Sequence, residues 1–158
     1  MKTILATAYD VNPYKGSESG TGWNFIVQIA RFNKVVAITR VNNKKNIEKY
    51  IEEFNIDITN IKFHYYDLPY YLRFWKKGAR GSSLYFYLWQ MFMPIFIKKN
   101  KIKFNIAHNL NFHTDSFPTF LWFCKQPLVW GPINHHEKIP YEYIHNIYFT
   151  VSTLTKLV

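Results

Sequence analysis

The chain of 158 residues has a single cysteine, Cys124. An internal disulfide is therefore impossible, which fits a reducing compartment. Cys124 closes an apolar run, 120–124, and reads as a small buried hydrophobe rather than a nucleophile. Acidic residues are scarce as well, 10 against 20 basic ones, for a formal net charge of +10. That deficit favours phosphate-bearing partners, whether nucleic acid, anionic lipid or sugar nucleotide, without choosing among them. Long hydrophobic runs are also lacking. The longest, Leu84–Ile97, is broken by Gln90 and Pro94 and falls short of the roughly 20 residues a spanning helix needs. Met1 to Ala6 leads straight into a strand pattern, with no basic start, apolar stretch and cleavage site in sequence. The expectation is a cytoplasmic protein. Repeats and low-complexity tracts are missing, and only 19% of residues are charged against 48% hydrophobic, which excludes wholesale disorder and suits one packed core.

What is present is an alternation of short apolar runs with longer helical patterns. Strands are expected at 4–9, 35–39, 61–66, 104–108 and 128–130. Helices are expected at 20–32, 43–54, 83–99 and 117–124, with a short one after Tyr70 and a kink at Pro94. Alternation of this kind implies an α/β fold, Rossmann-like and three-layered, with a mostly parallel sheet and right-handed crossovers. Ligands in such sheets bind outside the C-terminal ends of the strands. The segments to search are thus 10–22, 40–43, 67–82, 109–116 and 131–138.

The first of these holds three of the six glycines, Gly16, Gly20 and Gly22, in the string Asn12-Pro13-Tyr14-Lys15-Gly16-Ser17-Glu18-Ser19-Gly20-Thr21-Gly22-Trp23. Glycines before a helix permit close backbone approach, and a helix N-terminus presents amides to an anion. The dinucleotide spacing GxGxxG and the GxxxxGK[ST] phosphate loop are both absent. On residues alone, a structural turn and an anion site stand side by side.

The string as a whole resembles the first loop of glycosyltransferases with the GT-B fold, in the large retaining family 4. The resemblance continues through Tyr66-Asp67-Leu68-Pro69, Arg73-Phe74-Trp75-Lys76-Lys77-Gly78 and Leu84 to Gln90. It extends through Phe104 to His108 with Phe112 and Pro118, then Trp130-Gly131-Pro132-Ile133 with Glu137. These ordered matches cover about residues 1–140. Enzymes of this type pair two Rossmann-like domains across a cleft, the N-terminal one on the acceptor side and the C-terminal one holding the nucleotide sugar. The resemblance implies that residues 1–158 are a single N-terminal domain, that the donor-binding domain lies outside them, and that the chain alone is inactive. The implied activity is transfer of a hexosyl group from a nucleotide sugar to a cell-surface glycan or lipid-linked acceptor, with no cofactor beyond that donor.

Roles follow residue by residue. Gly20 and Gly22 would bring backbone amides to the donor diphosphate, and Gly16 would shape the turn. Glu18 has two readings, a helix cap and a ligand for an acceptor hydroxyl. His108 matches the position where the family places a histidine beside the sugar, the other reading being a structural histidine. Asn111, His135, His136 and Glu137 are assigned to the acceptor side. Relatives commonly carry Gly-Gly-Gly-Glu where this chain has Asn134-His135-His136-Glu137, so that pocket is altered or its loop sits differently. Grouping these imidazoles with His108 or His113 suggests a metal, but adjacent residues chelate one ion poorly and no metal is expected. Asp115 reads as an N-cap for the helix near Phe117.

Arg73, Trp75, Lys76, Lys77 and Arg80 sit among aromatics, followed by the apolar 84–97 run and four further lysines. Basic groups flanking an aromatic helix suit the anionic inner face of the plasma membrane. A core helix with solvated lysines is the other reading. A non-enzymatic nucleic-acid-binding module is the competing class, since base stacking uses basic and aromatic side chains. The charges are dispersed, however, and no RRM or OB pattern is present, so nucleic acid is not the expected partner.

Overall fold

The computed structural model describes residues 1–78, 80–110 and 117–133. Their sheet has five strands, all parallel: β1 (Thr3–Thr7), β2 (Lys34–Thr39), β3 (Ile61–Tyr65), β4 (Ile106–Asn109) and β5 (Leu128–Trp130). Their spatial order is β3-β2-β1-β4-β5. The chain reverses its direction of travel across the sheet between β1 and β4, which makes their C-terminal ends the switch point of the fold. Helices α1 (Ser17–Ala30), α2 (Lys44–Glu53) and α3 (Ser82–Lys99) cover the sheet. This is a Rossmann-like three-layer domain.

Period-2 alternation along each strand explains the two cores. From β1, Leu5 joins α3 residues Phe86, Trp89 and Met93 on one face of the sheet. Ala6 joins Trp23 and Ile26 of α1 and Ile47 of α2 on the other. Both faces of the central strands are thus buried, as a parallel sheet requires. Ala6, Ala37 and Ala107 are fully buried in the central strands, and their small side chains let the helices approach closely.

Three expectations need correction. The helix foreseen at 117–124 is only a 3-10 turn, Leu121–Cys124. Pro118 biases Phe117 away from helical backbone, and Lys125 turns left-handed at φ 62°, so no regular helix fits between them. The short helix after Tyr70 is likewise a single 3-10 turn, Tyr70–Leu72. Helix α1 starts at Ser17, three residues before the glycine pattern implied. Helix α3 runs through Pro94, which has no amide to donate to the Gln90 carbonyl. Among the described residues no helix is long and apolar enough to cross a membrane.

Candidate functional site

The switch point is tied together by polar groups at the strand ends. Thr7 Oγ1 donates to Asn109 Oδ1 at 3.0 Å in a buried bond, and Leu110 N–H donates to the Thr7 carbonyl at 2.9 Å. From the β2 exit, Asn43 Nδ2 reaches the Tyr9 carbonyl at 3.0 Å and Thr39 Oγ1 at 2.7 Å. These bonds fix the course of the chain as it leaves β1.

Beyond β1 the connection folds back on α1. Asn12 Oδ1 accepts from the Tyr14 amide at 3.0 Å, an Asx turn that uses the Asn-Pro pair. The Asn12 amide donates to the Ser19 carbonyl at 3.1 Å, and the Tyr14 hydroxyl pins the loop to Glu53 of α2. The fold-back brings the Lys15 carbonyl against Gly20, where a Cβ would lie 2.2 Å from that oxygen. Gly20 is therefore required by close approach. Gly16 is not constrained this way, since a Cβ there meets nothing within 4 Å.

Gly20 and Gly22 are buried inside the helix, and the Gly20 amide donates to the Gly16 carbonyl at 3.4 Å. The amides with no intrahelical acceptor belong to the preceding turn, beginning at Ser17. Ser17 has a positive φ of 57°, and alternation of left- and right-handed residues is the backbone pattern from which anion nests are built. Asp10 already approaches this end, its carboxylate accepting from Ser19 Oγ. Glu18 is half-buried in the first turn, where its charge complements the helix dipole. Gly16 is the N-cap, and it makes no side-chain capping bond.

His108 sits next to the switch point on the α1 face of β4, its ring edge-on to Phe25. Its Nε2 lies 2.9 Å from the Gly131 carbonyl and, in the neutral tautomer protonated there, donates to it. Burial lowers the imidazole pKa from its ordinary 6.5, with the Gly131 bond opposing in part, so the ring is neutral at pH 7. Gly131 is held at φ 140° after β5, with its own amide on the Asn109 carbonyl. A Cβ there would lie 3.1 Å from the Ile133 amide. Asn111, His113, Asp115, His135, His136 and Glu137 lie outside the described residues. No group of three or more metal-ligating side chains occurs among the described residues.

The basic segment divides in two. Arg73 and Lys76 line a recess of about 340 Å³ with Arg40, Tyr70, Phe74 and Tyr85. Trp75 is half-buried and packs on the α3 core, its ring over Gly81, where a Cβ would lie 2.7 Å from it. Lys77 and Arg80 are exposed and paired by an isolated antiparallel bridge. Tyr70, Tyr71 and Phe74 project into solvent beside them.

No family model matches the chain, and no curated protein or solved structure matches it.

Sequence reasoning missed Arg40, Asp67 and Tyr85 as partners. Arg40 Nε is buried 3.5 Å from Asp67 Oδ1, close enough for ion pairing and too long for a directed hydrogen bond. The Tyr85 hydroxyl donates to the same carboxylate at 2.7 Å, and Arg73 Nη1 lies 3.9 Å from its other oxygen. Burial first, then the Asp67 bond, pushes the Tyr85 hydroxyl far above its ordinary range, so it remains a donor. The cue was positional only: Arg40 and Asp67 directly follow β2 and the β3 exit.

A larger groove, about 570 Å³, lies at the opposite end of the sheet. It is lined by Ile97, Ile102, Phe104, Phe123 and Cys124 among others. Burial raises the Cys124 pKa, so this residue is a neutral thiol rather than a nucleophile.

Proposed function

We propose that this chain is the N-terminal, acceptor-side half of a retaining glycosyltransferase with the GT-B fold, of the family 4 type. It would transfer a hexosyl group from a nucleotide sugar to a cell-surface glycan or lipid-linked acceptor. One observation carries the reading. The 16–22 string of the family's first loop begins a helix beside the switch point of a parallel sheet, where such folds take their ligands.

In this proposal the turn starting at Ser17 faces the donor diphosphate and stabilises the charge that develops on the leaving group. Gly20 serves it by admitting the Lys15 carbonyl against the helix, its own amide being engaged with the Gly16 carbonyl, and Gly22 is buried two residues further into the helix. His108, held neutral, contributes a polar edge near the transferred sugar. Arg73, Lys76, Lys77 and Arg80, with the exposed aromatics beside them, would rest on the anionic inner face of the plasma membrane. The donor's nucleotide would be held by a second domain, so transfer needs both.

The test is sugar transfer from a nucleotide sugar. A protein carrying residues 1–158 joined to a donor-binding domain is expected to turn over. Residues 1–158 by themselves are expected to be silent, and turnover by that fragment would defeat the reading.

A further inference from the structure

The recess beside Arg40 is a built cationic site on the α3 face of the sheet, outside the C-terminal ends of β2 and β3. Three cations face it, Arg40, Arg73 and Lys76, and the carboxylate between them, Asp67, leaves a surplus of two positive charges. The Arg40 guanidinium is fixed before any ligand arrives. Its side chain is 18% exposed and lies 4.6 Å from the Tyr9 ring centroid and 5.5 Å from that of Tyr85. Its Nε has no hydrogen-bond partner, and the Asp67 Oδ1 it faces also accepts from the Tyr85 hydroxyl, while Arg73 faces the other oxygen. Arg73 and Lys76 stand nearer the mouth. The Arg73 side chain is 46% exposed, and Lys76 Nζ rests 5.4 Å from the Tyr85 ring while donating to the Gly78 carbonyl at 3.2 Å.

Like charges held this closely repel, and the arrangement is relieved by an anion. Guanidinium forks and an ammonium converge on tetrahedral oxyanions with charge-assisted bonds. We propose that this recess binds the phosphoryl group of a phosphomonoester. A dianion balances the surplus of two, which a carboxylate or phosphodiester does not. A volume of about 340 Å³ admits the phosphoryl group with a small organic part, which would lie along Tyr70 and Phe74. The site is separate from the helix start of α1, and it stands whether or not the chain belongs to a transferase.

The phosphoryl group could be carried by a soluble ester or by a lipid headgroup, and direct binding separates the two. Phenyl phosphate and inorganic phosphate are titrated into the chain by calorimetry at constant ionic strength. In parallel, the chain is sedimented with phosphatidylcholine vesicles containing phosphatidic acid. Saturable binding is expected, with Arg73→Gln and Lys76→Gln each weakening it by about tenfold, as loss of a charge-assisted bond implies. Lys45→Gln and Lys99→Gln, far along the chain from the recess, should leave it unchanged. Arg73 and Lys76 are exposed enough for their variants to fold, which circular dichroism checks, whereas Arg40→Gln removes a buried group. Binding of phenyl phosphate without vesicles assigns a soluble ester, and vesicle binding that phenyl phosphate does not displace assigns a lipid. The proposal is overturned if neither probe binds saturably, or if the Arg73 and Lys76 variants bind as well as wild type.

Discussion

At the scale of single residues, space and protonation decide the outcome. Gly20→Ala places a methyl against the Lys15 carbonyl, which must move or break the fold-back of residues 10–16. A loss of about 1–3 kcal/mol is expected from this overpacking. Gly16→Ala, in open space, should cost less than about 1 kcal/mol, and urea unfolding of the two variants makes the contrast. His108 gives a pH signature. Its pKa is lowered on folding, so the unfolded chain binds the proton more readily. The stability His108 contributes is complete above the unfolded value of about 6.5 and is lost as pH falls below it toward the folded pKa. His64, lowered by burial and by Lys62, acts in the same direction. His108→Gln should therefore flatten the slope of unfolding free energy between about pH 7 and pH 5, with His64 contributing to the slope that persists. An unaltered slope would mean that the ring is not held neutral.

At the scale of elements, α3 is the strut on which one face of the molecule is built. Trp89 is 1% exposed, its Nε1 donates to the Tyr66 carbonyl at 2.9 Å, and its ring meets Tyr9 edge-on. Trp89→Ala should cost about 3–5 kcal/mol. Trp89→Phe, which keeps a ring but leaves the Tyr66 carbonyl without this donor, should cost about 1–3 kcal/mol, measured by denaturant titration. Asp67 links β3 to α3 through Tyr85 and to the β2 exit through Arg40. Asp67→Asn removes the one carboxylate that, among the described residues, pairs with Arg40 and Arg73, and should tighten phosphate binding in the recess even as it weakens the fold.

The elements were legible because their periods are strong. Ile47 on α2 and the apolar runs of β1 and β2 declare themselves by spacing alone, and the structure differs there by one or two residues. The segment 117–124 misled because its aromatic density mimics a helix face, while Pro118 and the left-handed Lys125 forbid one. The glycines of 16–22 announced a turn and a helix start. They could not reveal that the Lys15 carbonyl returns onto Gly20, a contact set by the Asn12 turn and by Ser19. Arg40 and Asp67 lie 27 positions apart, and only adjacency of β2 and β3 brings them together. Local pattern carries no record of such a pairing.

At the scale of the whole molecule, the sheet order makes one place special. β1 and β4 part there, the first turn of α1 points toward it, and the basic rim of β2 and β3 lies on the same edge. The proposed transferase role needs an anion-binding turn at the switch point, and Asp10 beside Ser19 sets a demand on it. On the proposed function, a donor diphosphate would have to displace or bridge that carboxylate, so the affinity of this chain alone should be weak. The most direct measurement is amide chemical-shift mapping while a nucleotide sugar is titrated into residues 1–158. Weak binding is expected, its largest shifts falling on Ser17, Ser19 and their neighbours in 16–22, with an Asp10→Asn variant binding more tightly. Shifts confined to other parts of the chain, or none at millimolar donor, would contradict it.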